Sequence, residues 1–138
     1  MSDLVRVSVS IERGLFQRLE QLVKDRGYSN RSEYVRDLIR QELVEREWDQ
    51  DAEVVGTISL VFDHEVRDLG HRLVHAQHHH LDAVVATTHI HLDEQLCAEM
   101  IIVRGKAKAI RKLTDELRAQ KGVLHVSLSV SSTGKGLA

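Results

Sequence analysis

The 138-residue chain contains no proline and only one cysteine. A single cysteine has no partner for a disulfide within the chain, and the opening MSDLVRVSVS lacks the charged-then-apolar pattern of a secretory leader. The cytoplasm is therefore the expected compartment. No apolar run approaches the roughly 20 residues needed to cross a bilayer, so no membrane insertion is expected. Positive charge is not in surplus either. Nineteen Lys and Arg against 21 Asp and Glu give a formal net charge of −2, so the sum alone announces no nucleic-acid partner. What is present, 42% apolar and 29% charged residues, suits an ordered globular chain of one domain or two small ones.

The distribution of charge says more than its sum. Between Leu4 and Gln41 eight basic residues face five acids, after which Glu42, Glu45, Glu47, Asp49, Asp51 and Glu53 follow with only Arg46 against them. The basic character stops at an acidic connector, which marks the best domain boundary. Before it, LVRVSVSI alternates Val5, Val7, Val9 and Ile11 with Arg6, Ser8 and Ser10, the pattern of a strand with one apolar face. Leu15, Leu19, Leu22 and Val23 then recur at helical spacing up to Gly27. A second helix is predicted from Asn30 to Glu47, with Asn30 as N-cap and Glu33 in capping-box position. One strand and two helices leave backbone groups unpaired and too little core, so this unit is expected to dimerise. After the connector the elements read strand, helix (from His64), strand, strand, helix, strand: a βαββαβ ferredoxin-like order.

Three constellations carry chemistry. Arg6, Ser8 and Ser10 set one long donor and two hydroxyls on one strand face, and two such strands paired as a ribbon suit the major groove of DNA. At SNRSE, the helix N-terminus with Asn30, Arg31 and Ser32 suits a backbone phosphate, although capping explains Asn30 as well. In ATTHIHLDEQLCAEM, His89 and His91 stand two apart on a strand, and a hairpin turn returns Cys97 beside them. Two imidazoles and a thiolate suit Zn, Ni or Cu(II) rather than Mg or Ca. A fourth ligand is available from His78, His79 or His80, in the same subunit or a neighbour. His64, His71, His75 and His78 fall along one face of the predicted helix, where His71 and His75 form an i, i+4 pair that suits either an interface or an extra weak metal site. A nucleophilic Cys97 served by His89 or His91 and Glu99 is the competing reading. No glycine-rich oxyanion or phosphate loop accompanies it, so no catalytic residue is assigned.

VRVSVSIERGLFQRLEQLVKDRGYSNRSEYVRDLIR resembles a ribbon-helix-helix DNA-binding domain, and QHHHLDAVVATTHIHLDEQLCAE resembles the metal-binding segment of the nickel-responsive regulators of the NikR family. The two cover nearly the whole chain. The resemblance implies an α+β protein with a ribbon-helix-helix (βαα) domain at 1–48 and an acidic linker at 49–53. A ferredoxin-like (ACT-like) domain for metal binding and tetramerisation would span 54–132, followed by a flexible tail at 133–138. It further implies a homotetramer with one square-planar Ni(II) per subunit, held by His89, His91 and Cys97 of one subunit and His78 of another. His64, Gln77 and Glu99 would be outer-shell partners. Arg6, Ser8 and Ser10 would read bases of a palindromic operator, and Glu33 and Asp37 would hold a second, weaker cation. The implied function is nickel-dependent repression of metal-uptake genes; the reading from another class is a metal-storage or trafficking protein without specific DNA binding. Leu60 and Phe62 depart from the family, some members of which carry tyrosines near the metal, and the His71 and His75 pair is not a family feature.

Overall fold

Helix formation at the N-terminal end follows from local signals. In a computed structural model, which describes residues 3–138, α1 spans Arg13–Asp25 and α2 spans Arg31–Asp49. Met1 and Ser2, the start of the expected N-terminal domain, lie outside the described residues. Gly27 ends α1 at φ 74°, a left-handed conformation in which Tyr28 N–H reaches back to Val23 O at 3.0 Å. Asn30 caps α2, its Oδ1 accepting from Glu33 N–H at 2.9 Å. Only half of the expected capping box forms, because the Glu33 carboxylate turns to Arg36 instead of back to the cap.

The strand expected at Leu4–Ile11 is not assigned as one. A strand is defined by its ladder partner, and the described residues of the single chain supply none here. Val5, Val7 and Val9 are 82%, 78% and 75% exposed, so the apolar face that the alternation announces is uncovered in one copy.

The remaining elements are β1 (Glu53–Asp63), α3 (Leu69–His78), β2 (Val84–His91), β3 (Leu96–Lys106), α4 (Ala107–Arg118) and β4 (Val123–Val130). They form one antiparallel sheet in the order β2-β3-β1-β4, the βαββαβ arrangement expected. Along β1 every second residue is buried: Val54, Ile58, Leu60 and Phe62 face the helices. Leu69, Leu73 and Ala76 of α3 and Ile110, Leu113 and Leu117 of α4 close over them. Two compact units result, Met1–Leu43 with Gly136–Ala138, and Val44–Lys135. Among the described residues no helix is long and apolar enough to cross a membrane.

Three boundaries differ from expectation. The division between units falls inside α2, since Trp48 is 3% exposed in the core of the second unit and donates Nε1–H to Ser131 O at 2.8 Å. Segment 49–53, expected as a linker, holds the last residue of α2, the first of β1 and a carboxylate on α4: Asp51 Oδ1 accepts from Lys108 N–H at 2.8 Å. α3 begins at Leu69 rather than His64, because Asp68 sits at φ 62° and residues 64–68 form turns. In the expected tail, Leu137 O accepts from Arg40 Nε at 3.0 Å.

Gly122, just before β4, has φ 99°, and a Cβ there would lie 2.8 Å from Leu69 Cδ2 and 2.9 Å from Val66 Cβ. Gly122→Ala therefore combines backbone strain with overpacking and is expected to destabilise the chain by about 2–4 kcal/mol. Chemical denaturation measures this. A variant within about 0.5 kcal/mol of the parent would show that this corner relaxes freely.

Candidate metal centre

β2 ends the sheet on one side and pairs only with β3. In their register His91 faces Cys97, His89 faces Glu99 and Thr87 faces Ile101, with Phe62, Leu60 and Ile58 next in line on β1. Cross-strand partners share a face, so His89, His91 and Cys97 all project to the helix-covered side at the sheet's edge. The connecting turn is held by Asp93, whose Oδ1 accepts from Leu96 N–H at 2.7 Å and Gln95 N–H at 2.8 Å. Those two backbone bonds keep its carboxyl below the usual range.

One donor atom from each of His89, His91 and Cys97 lies within 4.8 Å of the others. Cys97 Sγ is 3.4 Å from His91 Nδ1, and the His89 and His91 rings meet edge-on with centroids 4.9 Å apart. Metal–nitrogen bonds of about 2.0–2.1 Å and metal–sulfur bonds of about 2.3 Å allow one ion to span such a triangle with small side-chain adjustments. The donors fit a borderline divalent transition ion. The environment has two sides. Cys97 is fully buried and Phe62 packs edge-on against His89 at 5.7 Å, whereas both imidazoles are exposed. A thiol with no exposed surface is poorly placed to attack a substrate, which separates this set from a nucleophilic cysteine.

Of the expected outer partners, Gln77 and Glu99 come together and His64 does not. Gln77, at the buried side of α3, accepts from Thr87 Oγ1 at 3.1 Å and extends Nε2 toward Glu99 Oε1 at 3.5 Å. His64 lies in the turn before α3 with its Nε2 against Glu94 O. Thr87 was not singled out from the sequence, though it shares the two-residue period of His89 and His91. His78 is exposed in the last turn of α3 and is outside the three-donor group. The His71 and His75 pairing is replaced by another: His75 Nε2 meets His79 Nε2 at 3.0 Å.

In the first unit Arg6, Ser8 and Ser10 are exposed. Arg31 bonds Glu20 at 3.1 Å and lies 5.2 Å from the Phe16 ring centroid, while Asn30 is occupied as a cap and Ser32 is exposed beside it. Glu33 pairs with Arg36, and Asp37 accepts from Tyr28 Oη at 2.6 Å and Arg40 Nη1 at 3.0 Å. Both expected cation-binding carboxylates thus already carry positive or hydroxyl partners.

The comparisons with known proteins divide the chain in the same way. Residues 55–131 match the family model "NikR C terminal nickel binding domain", and residues 5–46 match "Ribbon-helix-helix protein, copG family". A protein of Syntrophus aciditrophicus named "Putative nickel-responsive regulator" is 47% identical over 98% of each chain. One of the same name from Pyrococcus abyssi is 44% identical over 98% of this chain and 99% of its own. An uncharacterized protein from Thermotoga maritima, 11% identical, aligns with a TM-score of 0.52 over 56% of this chain and 96% of its own, a likeness of fold alone.

The Tyr28 hydroxyl, then Arg40, hold Asp37 below the usual carboxylate range. A depressed carboxyl adds stability that is present above its unfolded value of about 3.9 and is lost as pH falls through the folded one. Tyr28→Phe removes the larger cause, so the Asp37 carboxyl should titrate higher, and its contribution to stability should shrink and be fully lost at a higher pH. Carboxyl NMR titration measures the first effect, and an unmoved Asp37 would contradict the assigned cause.

Proposed function

Because the chain belongs to the NikR family, we propose that it is a nickel-responsive, DNA-binding transcription regulator that represses metal-uptake genes. The observation that carries this reading is the meeting of His89, His91 and Cys97 across one hairpin, in a chain whose N-terminal segment matches a ribbon-helix-helix model. DNA binding is assigned to residues 1–48 and metal binding with assembly to 54–132.

The division of labour follows from the side chains. Cys97 supplies a thiolate from the dry side, and His89 and His91 supply nitrogens from the wet side, which leaves the exposed side open for a fourth donor. His78, exposed at the end of α3, is the donor we assign, delivered from a neighbouring copy. Gln77, Thr87 and Glu99 fix the shelf behind His89, as outer partners orient first ligands. When bound, one Ni(II) per subunit supplies a link between donors of two chains. The uncovered Val5, Val7 and Val9 are satisfied when a second copy pairs its strand as a ribbon, which turns Arg6, Ser8 and Ser10 toward base edges in the major groove. A dimer of such dimers reads a palindromic operator, and metal at the core favours the arrangement that spans both half-sites. A coupling of about 1–3 kcal/mol changes operator affinity roughly 5- to 150-fold. No membrane partner is part of this reading, and its compartment is the cytoplasm.

Ni(II) titration is expected to produce a thiolate charge-transfer band that saturates at one ion per chain, with Cys97→Ala abolishing both the band and the metal dependence of operator binding. Gel shifts with palindromic and random DNA test the output. Uptake of nickel without sequence preference in DNA would favour a storage or trafficking protein, and specific DNA binding indifferent to nickel would remove the switch. Arg6→Ala should weaken specific binding by about 1–3 kcal/mol while leaving the band unchanged, as read by anisotropy at fixed salt.

A further inference from the structure

We propose that His75 and His79 of α3 form a second metal site, distinct from the hairpin site, that takes a borderline divalent ion such as Ni(II), Cu(II) or Zn(II). Their Nε2 atoms stand 3.0 Å apart, with ring planes at 80°. Two nitrogens bound at about 2.0–2.1 Å in neighbouring positions on one ion are separated by about 2.9 Å when the angle between the bonds is 90°. The pair is therefore already set at the bite of a chelate. Its i, i+4 spacing on a helix fixes that bite through the backbone, the same spacing that helical zinc motifs use.

The surroundings favour a cation at this position. Both rings lie in the last turn or cap of α3, where unsatisfied carbonyls give the helix end partial negative charge. They line a groove between α3 and α4 together with His80 and Glu116, which bond each other at 3.1 Å and add a carboxylate's negative charge to that groove. Arg72 and Lys112 share the groove, and Arg72 is engaged by Gln120 Oε1 and Lys121 O. The two positive charges make this site weaker than the thiolate site. Without metal, one ring donates Nε2–H to the other. On binding, that ring takes the Nδ1–H tautomer so that both Nε2 lone pairs meet the ion, with no net loss of a proton.

The two sites do not share ligands. At about 100° per residue, Gln77 lies roughly 160–200° around α3 from His79 and His75. Gln77 is buried against Thr87 and Glu99, and the two histidines are exposed. The sequence allows either His71 with His75 or His75 with His79, and the structure selects the second.

Full-length protein is titrated with Ni(II), with the thiolate band read alongside equilibrium dialysis and imidazole NMR. The expected result is a further ion per chain taken up after the band saturates, with shifts at the His75 and His79 rings. His75→Ala should weaken this further ion at least about tenfold, because a chelating ligand is lost, and leave the band unchanged. His71→Ala should change neither. The proposal is overturned if no further ion binds, if His75→Ala binds it as tightly as the parent, or if His71→Ala weakens it equally. An absent thiolate band would instead count against the hairpin site, since the His75-dependent uptake is read separately.

Discussion

The register of β2 on β3 decides which side chains meet. His91 stands opposite Cys97 and His89 opposite Glu99 because the turn between them closes at Asp93, which accepts from two successive backbone N–H groups. A slip of one residue would turn both imidazoles to the other face of the sheet and leave Cys97 beside Ile90 or Leu92. The short turn is therefore as much a part of the candidate site as the three donors. Burial of Cys97, Ile101 and Val103 on β3, which is separately registered against β1, holds the thiol on the helix-covered face, so the register of β2 alone decides whether the imidazoles join it. The hydrophobic core and the donor set are specified by one alternation.

That alternation also explains why the centre is dry on one side and wet on the other. Cys97 lies on β3, with β1 beyond it and helices above, whereas His89 and His91 lie on the edge strand. Leu60 and Phe62 continue the same cross-sheet rows inward, at 1% and 2% exposure, so hydrocarbon backs the sulfur and the His89 ring. Tyrosines in these rows would bring hydroxyls against the donors; leucine and phenylalanine bring none. The polar groups next to the His89 row come instead from α3, where Gln77 bonds Thr87 and Glu99. A polar shelf on the helix and an apolar floor on the sheet together restrict how far the ligands can turn.

Much of this was legible in the residues, and the exceptions have physical causes. The βαββαβ order and the meeting of His89, His91 and Cys97 follow from hydrophobic periodicity and a short turn. The start of α3 was misplaced because Asp68 adopts a left-handed conformation that a non-glycine residue rarely takes, so His64 fell off the helix. Helical spacing suggests His71 as the partner of His75, and the His75–His79 contact comes only from the built helix end. Charge alone makes the acidic stretch look like a linker, whereas Asp51 caps the N-terminus of α4. Trp48 shows the same limit, since a lone aromatic after a charged run gives no sign of whose core it joins.

The chain leaves two requirements open, one near its N-terminus and one in its second unit. One is a row of valines at 75–82% exposure with no strand beside it, and the other is a three-donor set whose open side faces water. Among the described residues of one copy, no strand pairs with the valine row and His78 lies outside the donor group. On the proposed reading both are met by other copies, but through different faces, so ribbon pairing and metal ligation build one assembly without competing for the same surface. Metal then stabilises only those assemblies in which a neighbour's donor is in place, and by linkage DNA that prefers the same arrangement raises the affinity for metal by the same factor. Coupling in this design comes from incompleteness: a site that one chain could finish alone would bind nickel without regard to what the ribbons hold.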